Sequence, residues 1–202
     1  MKLFTQVEKV DGQFSRVAMA LGTFDGIHIG HQRIIRKTVD YAINNNGTSM
    51  VFTLSNHPQS VIKSVGPLQI TPIPQKIELI EKLGVNALFL IPFSRELLRL
   101  TPSYLVVGPN YSFGYKGEGT PDLLRTFGAE YGFEVDVQET VSYDGTIVSS
   151  TAIRKMVQLG DVETAAKLLA RPVRITGKVI SGEQRGRLLG FPTANLQLPK
   201  DL

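Results

Sequence analysis

The sequence predicts an α/β protein built on a doubly wound parallel sheet. Three observations carry that expectation: short apolar runs alternate with stretches at helical spacing, the runs are apolar almost throughout, and Gly, Asn and Pro mark the junctions. Alternation of the two periods argues for βαβ units. Strands without a polar face are strands covered on both sides.

Taken in order, "VAMALGTF" (17–24) reads as the first strand, and "GHQRIIRKTVDYAINNN" follows with Ile34, Ile35, Val39, Ala42 and Ile43 at helical spacing. Asn44-Asn45-Asn46-Gly47 is a stop signal, because these residues tolerate a left-handed backbone. "SMVFTL" (49–54) is a second strand, "IPQKIELIEKLG" (73–84) a helix ending in Gly84, and "ALFLIPF" (87–93) a third strand. "YLVVG" (104–108) is a fourth, and "FEVDVQ" (133–138) a fifth, after the helical "PDLLRTFGAEYG". The connection "SRELLRLTPS" (94–103) is short for a crossover between parallel strands, which usually takes a dozen or more residues. "VSSTAIRKMVQLGDVETAAKLLARP" (148–172) reads as two short helices, capped by the Ser149-Ser150-Thr151 group and by Asp161, and stopped by Gly160 and Pro172. The expected division is a first domain over 1–171 and a second unit over 172–202 that is too short to bury a core of its own.

Composition narrows the function. The 202 residues are 42% hydrophobic and 20% charged, with a net charge of +4 and no cysteine, so disulfides, thiolate metal sites and a cysteine nucleophile are excluded. No run approaches the roughly 20 apolar residues that span a bilayer. Lys2, Glu8, Lys9, Asp11 and Arg16 break up the amino terminus, and the expectation is a cytoplasmic chain with no membrane partner. Its basic residues are scattered, with no run longer than Arg36-Lys37, which favours a small phosphorylated ligand over a nucleic acid.

The stretch "LGTFDGIHIGHQRII" (21–35) places His28 and His31 between the first strand and the first helix. They either line a loop and cap the helix or serve an anion there. A turn after the first strand of an α/β sheet directs free backbone N–H groups and the positive end of a helix dipole at one spot. Zinc is poorly served: H-x-x-H lacks the Glu of H-E-x-x-H, and His57 is the one other imidazole. No Walker-type phosphate loop occurs, so the histidines would take over its work. In "SSTAIR", Ser150 and Arg154 are four apart and share one helix face near an N-terminus, either as an ordinary capped helix or as a phosphate site. "GPNYSFGYKGEGT" (108–120) sets Tyr111, Phe113 and Tyr115 among glycines, a surface loop or a stacking platform for a planar ring.

"GTFDGIHIGH" resembles the signature of the HxGH nucleotidyltransferases, with His28, Gly30 and His31 filling the motif. Together with "NHP" (56–58), "VVGPNYSFG" (106–114), "VSSTAIR" (148–154) and "GRLLGFPTANL" (186–196) it is similar to the bacterial bifunctional riboflavin kinase/FAD synthetases. The resemblance implies a Rossmann-like nucleotidyltransferase followed by the start of a β-barrel kinase module. It implies transfer of AMP from ATP to FMN, giving FAD and pyrophosphate, with Mg2+ as cofactor and ATP, FMN and riboflavin as small-molecule partners. On that likeness ATP lies against Gly22, Phe24, Asp25, His28, Gly30, His31, Ser150, Thr151 and Arg154, with His28, His31 and Arg154 catalytic. Asp25 either helps recruit the metal or caps the turn. His57, Pro58, Asn110, Tyr111 and Phe113 fall to the flavin, although many relatives carry Asp where Asn110 stands. Thr193 and Asn195 fall to ATP or metal in the kinase module, whose remainder lies beyond Leu202, so the chain as given is expected not to phosphorylate riboflavin. Two other readings stand beside this one: transfer to a different small phosphate, and a regulatory protein that binds flavin or nucleotide without turnover.

Overall fold

The computed structural model describes residues 1–6, 14–55, 67–91, 102–114, 117–183, 185–191 and 193–198. Its centre is a six-stranded sheet: β1 (Lys2–Phe4), β2 (Val17–Leu21), β3 (Thr48–Leu54), β4 (Ala87–Ile91), β5 (Tyr104–Val107) and β6 (Glu134–Val137). The spatial order is β1-β4-β3-β2-β5-β6, and every pairing is parallel. The chain therefore runs outward from β2 through β3 to β4, then returns to lay β5 against the other side of β2. Ligands of such sheets sit beyond the strand ends where the order reverses, here above β2 and β5.

Alternation along the strands sorts side chains to two faces. Ala18, Ala20, Val51, Leu88 and Val106 pack beneath α1 (Ile29–Asn44) and α2 (Ile73–Lys82). Met19, Leu21, Met50, Phe52, Phe89, Leu105 and Val107 form the opposite core with Leu124 of α3 (Pro121–Tyr131). The small residues of β2 on the α1 face let that helix lie close over β2, β3 and β5. Tyr41 of α1 stacks on Tyr104 with ring centroids 3.7 Å apart, and the Tyr104 hydroxyl donates to Asp136 at 2.6 Å, fastening the helix to the β6 edge.

The expected boundaries hold at their physical markers. Thr120 accepts from the Leu123 amide at the start of α3, and Gly132 ends it in a left-handed conformation. Ser149 caps α4 (Ser150–Gln158), and Asp161 caps α5 (Val162–Leu169). These two helices enclose a third apolar cluster of Val148, Ile153, Ala165, Leu168 and Leu169.

Two features differ from the sequence reading. Lys2–Phe4 adds an edge strand beside β4 that three residues offer no periodicity to reveal. Ser142–Tyr143 (β7) and Thr146–Ile147 (β8) form a hairpin around Asp144-Gly145, too short to show an alternating pattern. After Arg171, where only the start of a barrel was expected, the described residues hold one antiparallel ladder of β9 (Lys178–Ile180) and β10 (Asn195–Gln197), with α6 (Arg185–Leu188) between them and no closed barrel. The short 94–103 connection lies almost wholly outside the described residues.

Ile35, fully buried between α1 and the sheet, is the most direct test of this packing. Ile35→Ala is expected to lower the unfolding free energy by about 2–5 kcal/mol, read from urea denaturation with an unchanged slope.

Candidate functional site

Residues 22–28 connect β2 to α1 through a strained turn. Phe24 (φ 46), Gly26 (φ 89) and Ile27 (φ 42) all take left-handed backbone. For a β-branched residue such as Ile27 this is a conformational outlier, and each non-glycine position costs about 1–3 kcal/mol. Burial offsets the strain, since Phe24 and Ile27 are each 1% exposed.

Hydrogen bonds fix the turn carbonyl by carbonyl. The Thr23 carbonyl accepts from the Thr53 hydroxyl at 2.9 Å and the Lys76 ammonium at 3.0 Å. The Asp25 carbonyl accepts from the Ser150 hydroxyl at 2.8 Å, and that of Gly26 from the Arg171 guanidinium at 2.7 Å. Ile27 serves the Gln32 amide at 3.0 Å, and His28 the Gln32 backbone at 2.9 Å. Gln32 and Arg171 also hold the Leu169 carbonyl, at 3.1 and 3.3 Å, tying the end of α5 to the same turn. With its carbonyls drawn to these donors, the turn presents amides elsewhere: among the described residues, no carbonyl accepts from the N–H groups of Asp25, Gly26, Ile27 or His28.

The Asp25 side chain completes the clamp. One oxygen accepts from the amides of Ile70 and Thr71 at 3.1 and 3.2 Å, while the other takes the Arg154 guanidinium at 2.6 Å. Arg154 also donates through Nε to the Leu68 carbonyl at 2.7 Å. The carboxylate is thus a strut between the turn, the start of α2 and α4. Among the described residues no group of three His, Asp or Glu side chains forms a metal site.

His28 is the N-cap of α1: its Nδ1 accepts the His31 amide at 3.2 Å, which assigns the proton of a neutral imidazole to Nε2. The two imidazoles stack at 3.6 Å, inclined by 18°, and the Phe24 ring meets His31 edge-on at 5.2 Å. A Cβ on Gly30 would stand 3.3 Å from the His28 ring, so the glycine of the motif is what admits the stack. Burial lowers His28 to about 4 against a partial pull from Asp25, and burial also lowers His31 well below its usual value, with the His28 and Lys76 charges acting in the same direction. Both rings are therefore neutral donors and acceptors near pH 7. The buried Nδ1 of His31 has no partner among the described residues.

The structure gathers Gly22, Phe24, Asp25, His28, Gly30, His31, Ser150 and Arg154 around one turn, and sets Thr151 exposed on the first turn of α4. Asn110 is exposed in the loop after β5; Tyr111 and Phe113 stack on each other at 5.9 Å and pack on the α3-side core. Burial pushes the Tyr111 phenol up to about 12. Thr193 and Asn195 are exposed near β10. His57, Pro58 and Tyr115 lie outside the described residues.

Sequence reasoning missed Gln32, Thr53, Thr71, Lys76 and Arg171, the donors that shape the turn. Lys76 had a signal: it lies in the apolar stripe of α2, four residues before Ile80. Gln32 and Arg171 had none, because their partners are backbone carbonyls distant in sequence.

Comparison with known proteins places this architecture. A family profile described as FAD synthetase matches residues 11–152, and one described as riboflavin kinase matches 169–202. The bifunctional riboflavin kinase/FMN adenylyltransferase of Listeria monocytogenes is 34% identical over 91% of this chain and 63% of its own length. That of Buchnera aphidicola is 30% identical over 100% of this chain and 70% of its own. The crystal structure described as a macrolide-efflux protein from Streptococcus pneumoniae has a TM-score of 0.83 at 29% identity, over 98% of this chain and 69% of that one. Among the described residues here, no helix is long and apolar enough to cross a membrane. A pantothenate synthetase from Thermus thermophilus shares the fold, with a TM-score of 0.51 at 14% identity over 84% of this chain and 81% of that one.

Two outcomes follow from the geometry. Arg171→Met removes the donor on Gly26 and is expected to lower stability by about 1–3 kcal/mol, measured by urea denaturation. His28 has a folded value below its unfolded one, so its contribution to stability is complete above about pH 6.5 and is lost as pH falls towards 4. Unfolding free energy measured across that window should fall with acidification, and less steeply in His28→Asn. With a family profile covering most of its length and a relative at 30% identity matched end to end, the chain belongs to the FAD synthetase family.

Proposed function

We propose that the chain is a cytoplasmic FMN adenylyltransferase, joining AMP from ATP to the phosphate of FMN with release of pyrophosphate. The observation that carries the reading is the turn 23–28: a pair of stacked, neutral imidazoles at a helix N-terminus, in a turn where five of the six carbonyls, all but that of Phe24, are held by donors. Such a site suits a polyanion. Family membership supplies the acceptor.

In this reading the triphosphate lies along the amides of the turn and the N-terminus of α1, with His28 Nε2–H donating to it and His31 beside it. Ser150 and Arg154 act through their grip on residue 25, and the guanidinium Nη1, which has no partner among the described residues, is left for phosphate. Thr151 lies exposed in the first turn of α4, at the positive end of that helix's own dipole. Adenylyl transfer needs no covalent enzyme intermediate: an oxygen of the acceptor phosphate bonds to the α-phosphorus as the bond to the bridging oxygen breaks, and pyrophosphate leaves with that electron pair. The protein contributes alignment and donors preorganised towards the developing charge. Magnesium would be held chiefly by the phosphates of the nucleotide, as this ion usually keeps most of its water and needs few protein ligands.

The flavin is assigned to the loops after β3 and β5, through His57, Pro58, Asn110, Tyr111 and Phe113. The second of these loops leaves the sheet beside the turn, because β5 pairs directly with β2. We place the domain division at 171/172, with Thr193 and Asn195 as phosphate or metal contacts of the kinase unit.

Incubation with FMN, ATP and magnesium, following FAD and pyrophosphate, tests the reading. The parent chain is expected to make FAD, and His31→Ala to lose about 10²–10³ in rate while retaining its fold. Binding of FMN with no FAD formed would instead establish a non-catalytic flavin-binding protein.

A further inference from the structure

One buried ionisable side chain is not explained by the chemistry above. Lys76 sits on the inward face of α2 and is 6% exposed, at a position where a helix packed on a sheet ordinarily carries an aliphatic residue. Lysine is almost never buried this far without compensation, because an ammonium loses its hydration on leaving water. Among the described residues the compensation is small. Lys76 donates to the Thr23 carbonyl, which the Thr53 hydroxyl already serves. The adjacent Asp25 carboxylate directs its oxygens to Ile70, Thr71 and Arg154. An ammonium has three donors, and two of these find no acceptor among the described residues.

The surroundings indicate what those donors are for. Lys76 lines a cleft with Thr23, Asp25, Leu54, Ser55, Gln69 and Ile73, at the carboxyl ends of β2 and β3. Desolvation lowers the ammonium from its usual range while Asp25 opposes the change, and the Lys76 charge is in turn felt at His31. The cation lines the cleft, and its charge reaches the imidazole pair. A compact, strongly hydrated point charge, with a serine and a glutamine lining the same cleft, suits a phosphate monoester dianion better than a planar carboxylate fork. An adenylyl transfer brings two anions together from opposite sides of the α-phosphorus. The helix N-terminus and its histidines serve one of them.

We propose that Lys76 receives the attacking phosphate of the acceptor, in the cleft it forms with Thr23, Ser55 and Gln69. The proposal rests on the adenylyl-transfer reading and adds the residue that selects a phosphorylated acceptor over its unphosphorylated form. In the reaction Lys76 moves no proton; it neutralises part of the charge that would otherwise repel the attacking dianion from the triphosphate.

The test compares dissociation constants for FMN, riboflavin and a non-hydrolysable ATP analogue in the parent chain, Lys76→Met and Lys76→Arg. Lys76→Met is expected to weaken FMN by about ten-fold to a hundred-fold, the size of one lost charge-assisted hydrogen bond, to leave riboflavin nearly unchanged, and to weaken the ATP analogue less than FMN, because the Thr53 hydroxyl still holds the Thr23 carbonyl. Lys76→Arg should recover part of the loss. Equal weakening of FMN and riboflavin, or no change in either, would overturn the proposal and leave Lys76 as a strut for Thr23. Should Lys76→Met fail to fold by circular dichroism, the ε-methylene carbon resonance of Lys76 in the parent chain, assigned with Lys76→Arg, decides: movement with FMN but not riboflavin supports the assignment, and equal movement or none overturns it. A parent chain that binds no FMN would remove the adenylyl-transfer reading, and this proposal with it.

Discussion

Everything at the candidate site depends on the capture of five successive-but-one backbone carbonyls, those of Thr23, Asp25, Gly26, Ile27 and His28. Backbone dipoles are fixed charges, and a turn that holds its oxygens in one direction offers its amides in the other. The donors come from β3, α1, α2, α4 and Arg171, two residues past α5, so the polarity of a seven-residue connection is set by most of the molecule. The left-handed conformations of Phe24 and Ile27 are the local cost of that arrangement. Their buried side chains help to offset it.

The same network explains why the histidines are neutral and fixed. His28 gives one nitrogen to the helix it caps, His31 lies flat against it, and Gly30 leaves room for the stack. Two protonated rings 3.6 Å apart in a buried site would repel each other, so neutrality near pH 7 follows from geometry as well as burial. A neutral imidazole donates to a phosphate without requiring a second charge to be desolvated. The formal cations nearest the turn, Lys76, Arg154 and Arg171, stand behind and beside it, each anchored to at least one carbonyl.

Much of the fold was legible because it is written in local periodicity. The apolar runs read at 17–24, 49–54 and 87–93, which contain or overlap the strands Val17–Leu21, Thr48–Leu54 and Ala87–Ile91, the Asn-rich stop after α1 and the Ser149 and Asp161 caps each declare themselves within a few residues. Lys2–Phe4 did not, since its strand character comes from pairing with Ala87–Phe89. At the site the motif residues were visible by likeness, but the tasks of Asp25, Ser150 and Arg154 within this chain were not. Spacing put Ser150 and Arg154 on one helix face correctly, and only the fold shows that this face meets residue 25. Gln32 and Arg171 grip backbone atoms, which carry no sequence identity, and were invisible for that reason.

The central claim is that the turn between β2 and α1 presents its amides to a triphosphate. Titrating a ¹⁵N-labelled chain with a non-hydrolysable ATP analogue and magnesium, while following the backbone amides by NMR, tests it most directly. The account predicts that the largest shifts fall on the amides of residues 25–30. Saturable nucleotide binding that leaves those amides unmoved, with shifts concentrated elsewhere, would contradict it.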